Sequence, residues 1–144
     1  MNILIIENEI YLAQKVVSRL LDDGHSCDYI ESPNIDNLTK EYDTILLSTS
    51  LPSALCKNII KRYSENAIIL LLVSYISDET VTNPIKDGAK DYIMKPFIMD
   101  ELVRKIYHYK ECRSIRRELQ TLREYFNFTM AEIDIKDVLL PPSF

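Results

Sequence analysis

Short apolar runs alternate with amphipathic stretches five times along this chain, and no other feature restricts its fold as much. The runs are Asn2–Ile6, Ser26–Ile30, Thr44–Leu47, Ala67–Val73 and Asp91–Met94. Three of them, at Ile3–Ile6, Ile45–Leu47 and Ile68–Val73, are apolar without alternation, as strands covered on both faces are. Strands separated by helix-length segments predict a parallel α/β sheet, because a parallel pair needs a crossover long enough to hold a helix.

The intervening segments carry the helical period. Leu12, Val16, Val17, Leu20 and Leu21 predict a first helix from about Glu9 to Asp23, with Gly24 placed to stop it. Weaker signals cover Ile35–Lys40, Ser53–Tyr63 and Asp78–Lys86, the last followed by Gly88. After Pro96 the spacing resumes at Leu102 and Ile106. With no glycine or proline to interrupt it, it continues through Ile115, Leu119, Leu122 and Phe126, in steps of four, three and four. Such a helix is too long for the domain, and its stripe has the spacing of a short coiled-coil seam or of packing within one chain. Residues 129–144, with alternating Ile133 and Ile135 and the pair Pro141-Pro142, read as a linker or the opening of a further domain.

At 144 residues the chain has room for one ordinary domain and an appendage. Its longest apolar run, Ala67–Val73, is far short of the roughly 20 residues of a membrane-spanning helix, and the first residues lack the basic region of a secretory signal. A cytoplasmic protein without membrane contact is expected. Cys27, Cys56 and Cys112 match no zinc-ligand spacing and read as free thiols acting as small, partly buried apolar residues. The net charge of −5 argues against general nucleic-acid binding by these residues.

Ligands of an open parallel sheet sit beyond the carboxyl ends of its strands. Those ends carry Glu7-Asn8-Glu9, Ser48, Ser74 and Lys95-Pro96. In "ILIIENE" (Ile3–Glu9), "YDTILLSTSLP" (Tyr42–Pro52), "IILLLVS" (Ile68–Ser74) and "DGAKDYIMKPF" (Asp87–Phe97), residues 1–112 resemble the receiver domain of bacterial two-component response regulators. The resemblance implies a flavodoxin-like (βα)5 fold with five parallel strands in order 2-1-3-4-5, helices on both faces and an extended last helix. Residues 113–144 would then be a helical extension and linker toward an output domain.

A working receiver takes a phosphoryl group onto an aspartate at the end of the third strand, beside magnesium held by that aspartate and an acidic pair after the first. Here the acceptor position is Ser48, and the pair falls on Glu7 and Asn8, with Glu9 next to it. Magnesium prefers carboxylate and water oxygens, so its binding is expected to be weak or absent and no cofactor is implied. A serine hydroxyl needs a general base to attack phosphorus, which makes a cognate histidine kinase doubtful. By the same resemblance Ser74 is the hydroxyl that contacts phosphate, Tyr92 the aromatic that rotates on activation and Lys95 the cation that pairs with phosphate. Pro96 follows a cis peptide bond in the family. Deprived of phosphate, Lys95 has Glu7 as a partner, a salt bridge that would hold one state permanently. The bland readings are a turn satisfied by Ser48, Thr49 and Ser50, a helix cap at Ser74, a core Tyr92, and surface positions for His25 and His108.

Arg104, Lys105, Lys110, Arg113, Arg116 and Arg117 form the cationic stretch of an acidic chain. Many receivers dimerise through charged pairs on the face of the fourth helix, fifth strand and fifth helix, where Asp91 and Arg104 stand here. A solvated helix face and direct DNA contact are the other readings. The expected function is that of an atypical, orphan-type receiver, independent of phosphorylation. It would form a homodimer, in part through Ile115, Leu119 and Leu122, and control a DNA-binding output domain outside this chain. The alternatives are a protein interaction module without such an output, a receiver modified on Ser48 by another kinase, and an enzyme or nucleotide binder. The last is disfavoured because neither a glycine-rich phosphate loop nor a catalytic pair is present.

Overall fold

The computed structural model describes residues 1–31, 34 and 38–132, with side chains through residue 127. Five strands, β1 (Asn2–Ile6), β2 (Ser26–Ile30), β3 (Thr44–Ser48), β4 (Ile68–Val73) and β5 (Asp91–Met94), pair in parallel in the order β2-β1-β3-β4-β5. The order and the parallel pairing are those of the (βα)5 fold expected from the sequence. The three unbroken apolar runs are the central strands, and every residue of β3 and β4 is buried. At roughly 1.5–3 kcal/mol for each fully buried Leu or Ile, this layer supplies the main drive to fold.

Helix α1 (Ile10–Asp22) buries Ala13, Val16 and Leu20. It ends where Gly24 takes φ +90° and the His25 and Gly24 amides bond back to the Leu20 and Leu21 carbonyls, the double closure that a left-handed residue allows. Helix α2 (Ser53–Tyr63) buries Cys56, Ile59, Ile60 and Tyr63. Burial pushes the Cys56 thiol up to about 11.

The segment expected as a helix over Asp78–Lys86 opens differently, as a π-helical turn (Asp78–Thr82) that runs into the short helix α3 (Asn83–Asp87). Ser77, and not Ser74, caps it: the Ser77 hydroxyl accepts from the Thr80 amide while the Thr80 hydroxyl accepts from the Ser77 amide. Gly88 follows at φ +133°, and a Cβ there would lie 2.6 Å from that of Ser64, so both backbone and space require glycine. The helix expected over Ile35–Lys40 falls largely outside the described residues, and Leu38, Thr39 and Lys40 are not helical.

Helix α4 runs from Met99 to Glu132, the long last helix expected. Its first turns bury Leu102, Val103 and Ile106. The first compact unit of the chain closes at Tyr107, and a second begins at His108. His25 is not a bare surface residue. Its Nε2 lies 2.8 Å from the Tyr107 hydroxyl, and its Nδ1 lies 3.1 Å from the amino terminus. Among the described residues no helix is long and apolar enough to cross a membrane.

Candidate functional site at the carboxyl end of the sheet

The strand order reverses between β1 and β3, and the side chains that follow these strands and β5 converge beyond their carboxyl ends. Glu7, directly after β1, is fully buried. Its Oε1 accepts from the Glu9 amide at 3.0 Å and from Lys95 Nζ at 3.0 Å, and the same ammonium lies 2.8 Å from Oε2. Oε2 receives no directed hydrogen bond among the described residues, so its contact with Lys95 is electrostatic. The Tyr29 hydroxyl donates to the Glu7 carbonyl at 2.9 Å and fixes the backbone at this turn. Burial pushes the Tyr29 phenol above its ordinary value, and the charges of Glu31 and Glu7 act in the same direction.

Lys95 reaches Glu7 from the end of β5, where the Lys95-Pro96 peptide is cis. Its Nζ also donates to Ser48 Oγ at 3.2 Å. Ser48 is the last residue of β3 and is fully buried. Its oxygen lies 2.6 Å from Ser50 Oγ and accepts from the Ser50 amide at 3.3 Å, while Ser50 Oγ donates to Asn8 Oδ1 at 2.8 Å.

These contacts fix the protons, assigned from the requirement that each group be satisfied. Ser50 gives its hydroxyl hydrogen to Asn8, so Ser48 gives its own to Ser50. The two lone pairs of Ser48 are then taken by Lys95 and by the Ser50 amide. A hydroxyl saturated in this way, with neither carboxylate nor imidazole among its recorded partners, has no base to activate it.

The same geometry decides against a magnesium site. Three carboxylates would suit the ion, and the corresponding positions hold Glu7, Asn8 and Ser48. Glu7 is already compensated by a buried ammonium, and the other two are neutral. Glu9 turns outward, its side chain 61% exposed and 3.8 Å from Lys95 at the rim. Among the described residues no group of three or more potential metal ligands gathers anywhere. The residues present do not fit the ion.

The remaining positions singled out in the sequence are not drawn into this network. Ser74 is exposed, makes no hydrogen bond to Ser48 or Lys95 among the described residues, and lines a cavity of about 460 Å3 with Ser50, Tyr75 and Thr80. Tyr92 is half-buried and packs against the core, with Lys105 Nζ 5.7 Å from its ring centre. Within the chain Asp91 pairs with Lys105 at 3.2 Å, while the Arg104 guanidinium bonds to the Asp100 carbonyl. A second polar cluster lies on β2, where Lys40 and Tyr42 donate to Asp28 and hold its carboxyl below the usual range. Ile115, Leu119 and Leu122 are half exposed or more on α4.

The partners of Ser48 and Asp91 were the parts sequence reasoning missed. Ser50 repeats the hydroxyl of Ser48 two residues on, which is a signal, but its bond to Asn8 spans 42 residues of chain and is not.

No family model matches the chain. Among curated proteins, the transcriptional regulatory protein DltR of Streptococcus agalactiae is 33% identical over 113 residues, covering 74% of this chain and 50% of that protein. The response regulator ArlR of Staphylococcus haemolyticus is 36% identical over 112 residues, 73% of this chain and 50% of that one. Among solved structures, a two-component response regulator from Clostridium difficile superposes with a TM-score of 0.63 at 26% identity, over 74% of this chain and 92% of its own. The chain carries a response-regulator receiver domain. It spans about half the length of the curated relatives it matches.

Proposed function

We propose that this receiver works without aspartyl phosphorylation, as a self-associating regulator of an attached DNA-binding output domain in transcription control. One observation carries the reading. The Lys95 ammonium, the cation that would meet phosphate in a working receiver, sits between a buried Glu7 and Ser48, 2.8 Å and 3.2 Å away. Its charge is matched inside the chain, so it is not left free to meet a phosphoryl group. Ser48 has neither a free lone pair nor a base. Its complete burial also disfavours modification by another kinase, which needs the hydroxyl within reach of its own active site. The output domain and the role in transcription rest on the relatives, which include a transcriptional regulatory protein and are about twice as long as the stretch they share with this chain.

The test is to incubate the protein with acetyl phosphate and magnesium and measure its intact mass. No phosphoryl increment is expected. An increment that disappears in Ser48→Ala would overturn the proposal.

A further inference from the structure

We infer that the second half of α4 pairs with a second copy of this chain as a parallel, in-register coiled coil, with Cys112 facing Cys112. This rests on the reading that the chain self-associates, and it adds orientation and register. Along α4 the apolar residues Ile115, Leu119, Leu122 and Phe126 are 51%, 50%, 62% and 49% exposed. Their steps of four, three and four admit a single heptad phase. A step of four runs from d to a and a step of three from a to d, so Leu119 and Phe126 are a positions, and Ile115 and Leu122 are d positions. The a position one heptad earlier is Cys112, a half-buried thiol.

The phase also names the residues that flank the seam. The g positions before each a are Glu111, Glu118 and Tyr125, and the e positions after each d are Arg116 and Arg123. In a parallel pair a g side chain meets the e side chain five residues further along the other helix. Glu111 then meets Arg116, and Glu118 meets Arg123, so both charged contacts are attractive and each occurs twice by symmetry. In an antiparallel pair g meets g and e meets e, and with Ile115 opposite Phe126 and Leu119 opposite Leu122 this sets Arg116 against Arg123 and leaves Glu118 facing Tyr125. The charge rows therefore fit a second copy of this helix in one direction only.

The orientation is read by two independent measurements. In the 144-residue chain carrying Cys27→Ser and Cys56→Ala, Cys112 is the sole thiol. Mild oxidation with diamide is expected to convert most of it to a covalent dimer, because facing a positions lie within disulfide reach. In an antiparallel pair centred on the same seam the two thiols would stand about 25 Å apart along the axis. In the otherwise unaltered chain, Glu118→Arg is expected to weaken self-association about tenfold, and Glu118→Arg combined with Arg123→Glu to restore it, measured by sedimentation equilibrium. In an antiparallel pair on the same seam Glu118 faces Tyr125 and Arg116 faces Arg123, so Glu118→Arg alone would change little and the double swap would tighten association beyond that of the parent. A dimer that neither cross-links through Cys112 nor is weakened by Glu118→Arg would overturn the parallel seam and leave self-association standing. A monomer at every concentration would overturn both.

Discussion

At the carboxyl end of the sheet the charged and hydroxyl groups are matched within the chain. Lys95 lies 2.8 Å from Glu7, and Ser48 is hydrogen-bonded through Ser50 to Asn8. Beyond Ile115 on α4 the situation is reversed, with large apolar side chains half exposed and charged residues ranged on either side of them. The first region has little to offer a phosphoryl group or a metal ion. The second presents a surface that a partner would complete. In a receiver that responds to phosphate the sheet end is where the signal enters, so on the proposed reading a closed sheet end together with an open helix would place regulation in the assembly step.

The two regions should therefore fail differently. Removing the cation by Lys95→Met leaves Glu7 as a buried carboxylate without its counter-charge, and the loss of one member of a buried pair costs about 3–5 kcal/mol. A urea titration should show a correspondingly lower midpoint. The double variant Glu7→Gln with Lys95→Met should recover most of that loss, because neither charge then remains to be desolvated. If the single variant is as stable as the parent, Glu7 is not buried against Lys95 and the closed-site reading fails.

On the helix the effect should be on association and not on folding. Leu119→Asp puts a carboxylate in the middle of the apolar seam, and light scattering across a dilution series should show at least a hundredfold weaker self-association. Since Leu119 is 50% exposed, the unfolding free energy of the first compact unit should change by no more than about 0.5 kcal/mol. Unfolding without a change in association would invert the comparison and make the stripe an internal packing surface.

How much of this could be read from the sequence depended on how local each cause is. The central strands were legible because an unbroken apolar run of three to seven residues says where it must lie whatever its register. The long last helix was legible because nothing in it stops a helix. The π-helical opening at Asp78–Thr82 was not, since it rests on the Thr82 amide reaching the Ser77 carbonyl five residues back, a choice made by tertiary packing. Lys105 and Arg104 differ by one residue, or about 100° around the helix, and only the packed helix shows which of them meets Asp91. Glu7, Ser48 and Lys95 could be singled out from their strand ends. The saturation of Ser48 depended on Ser50 and Asn8 meeting across 42 residues, which no local pattern encodes.

That saturation gives the smallest and most discriminating prediction. Ser48→Ala removes the acceptor of Lys95 and of the Ser50 amide, and with it the hydrogen donated to Ser50. Lys95 keeps Glu7, and Ser50 keeps Asn8, so the net loss should be that of one charge-assisted and two neutral hydrogen bonds partly compensated, about 2 kcal/mol, and self-association should be unchanged. Unfolding and dilution series on the same sample measure both. A loss of several kcal/mol would mean that Ser48 carries part of the charge balance of the site. Weakened association would mean that the sheet end and the helix are coupled, and the seam would then be under the control of the strand end that carries Ser48.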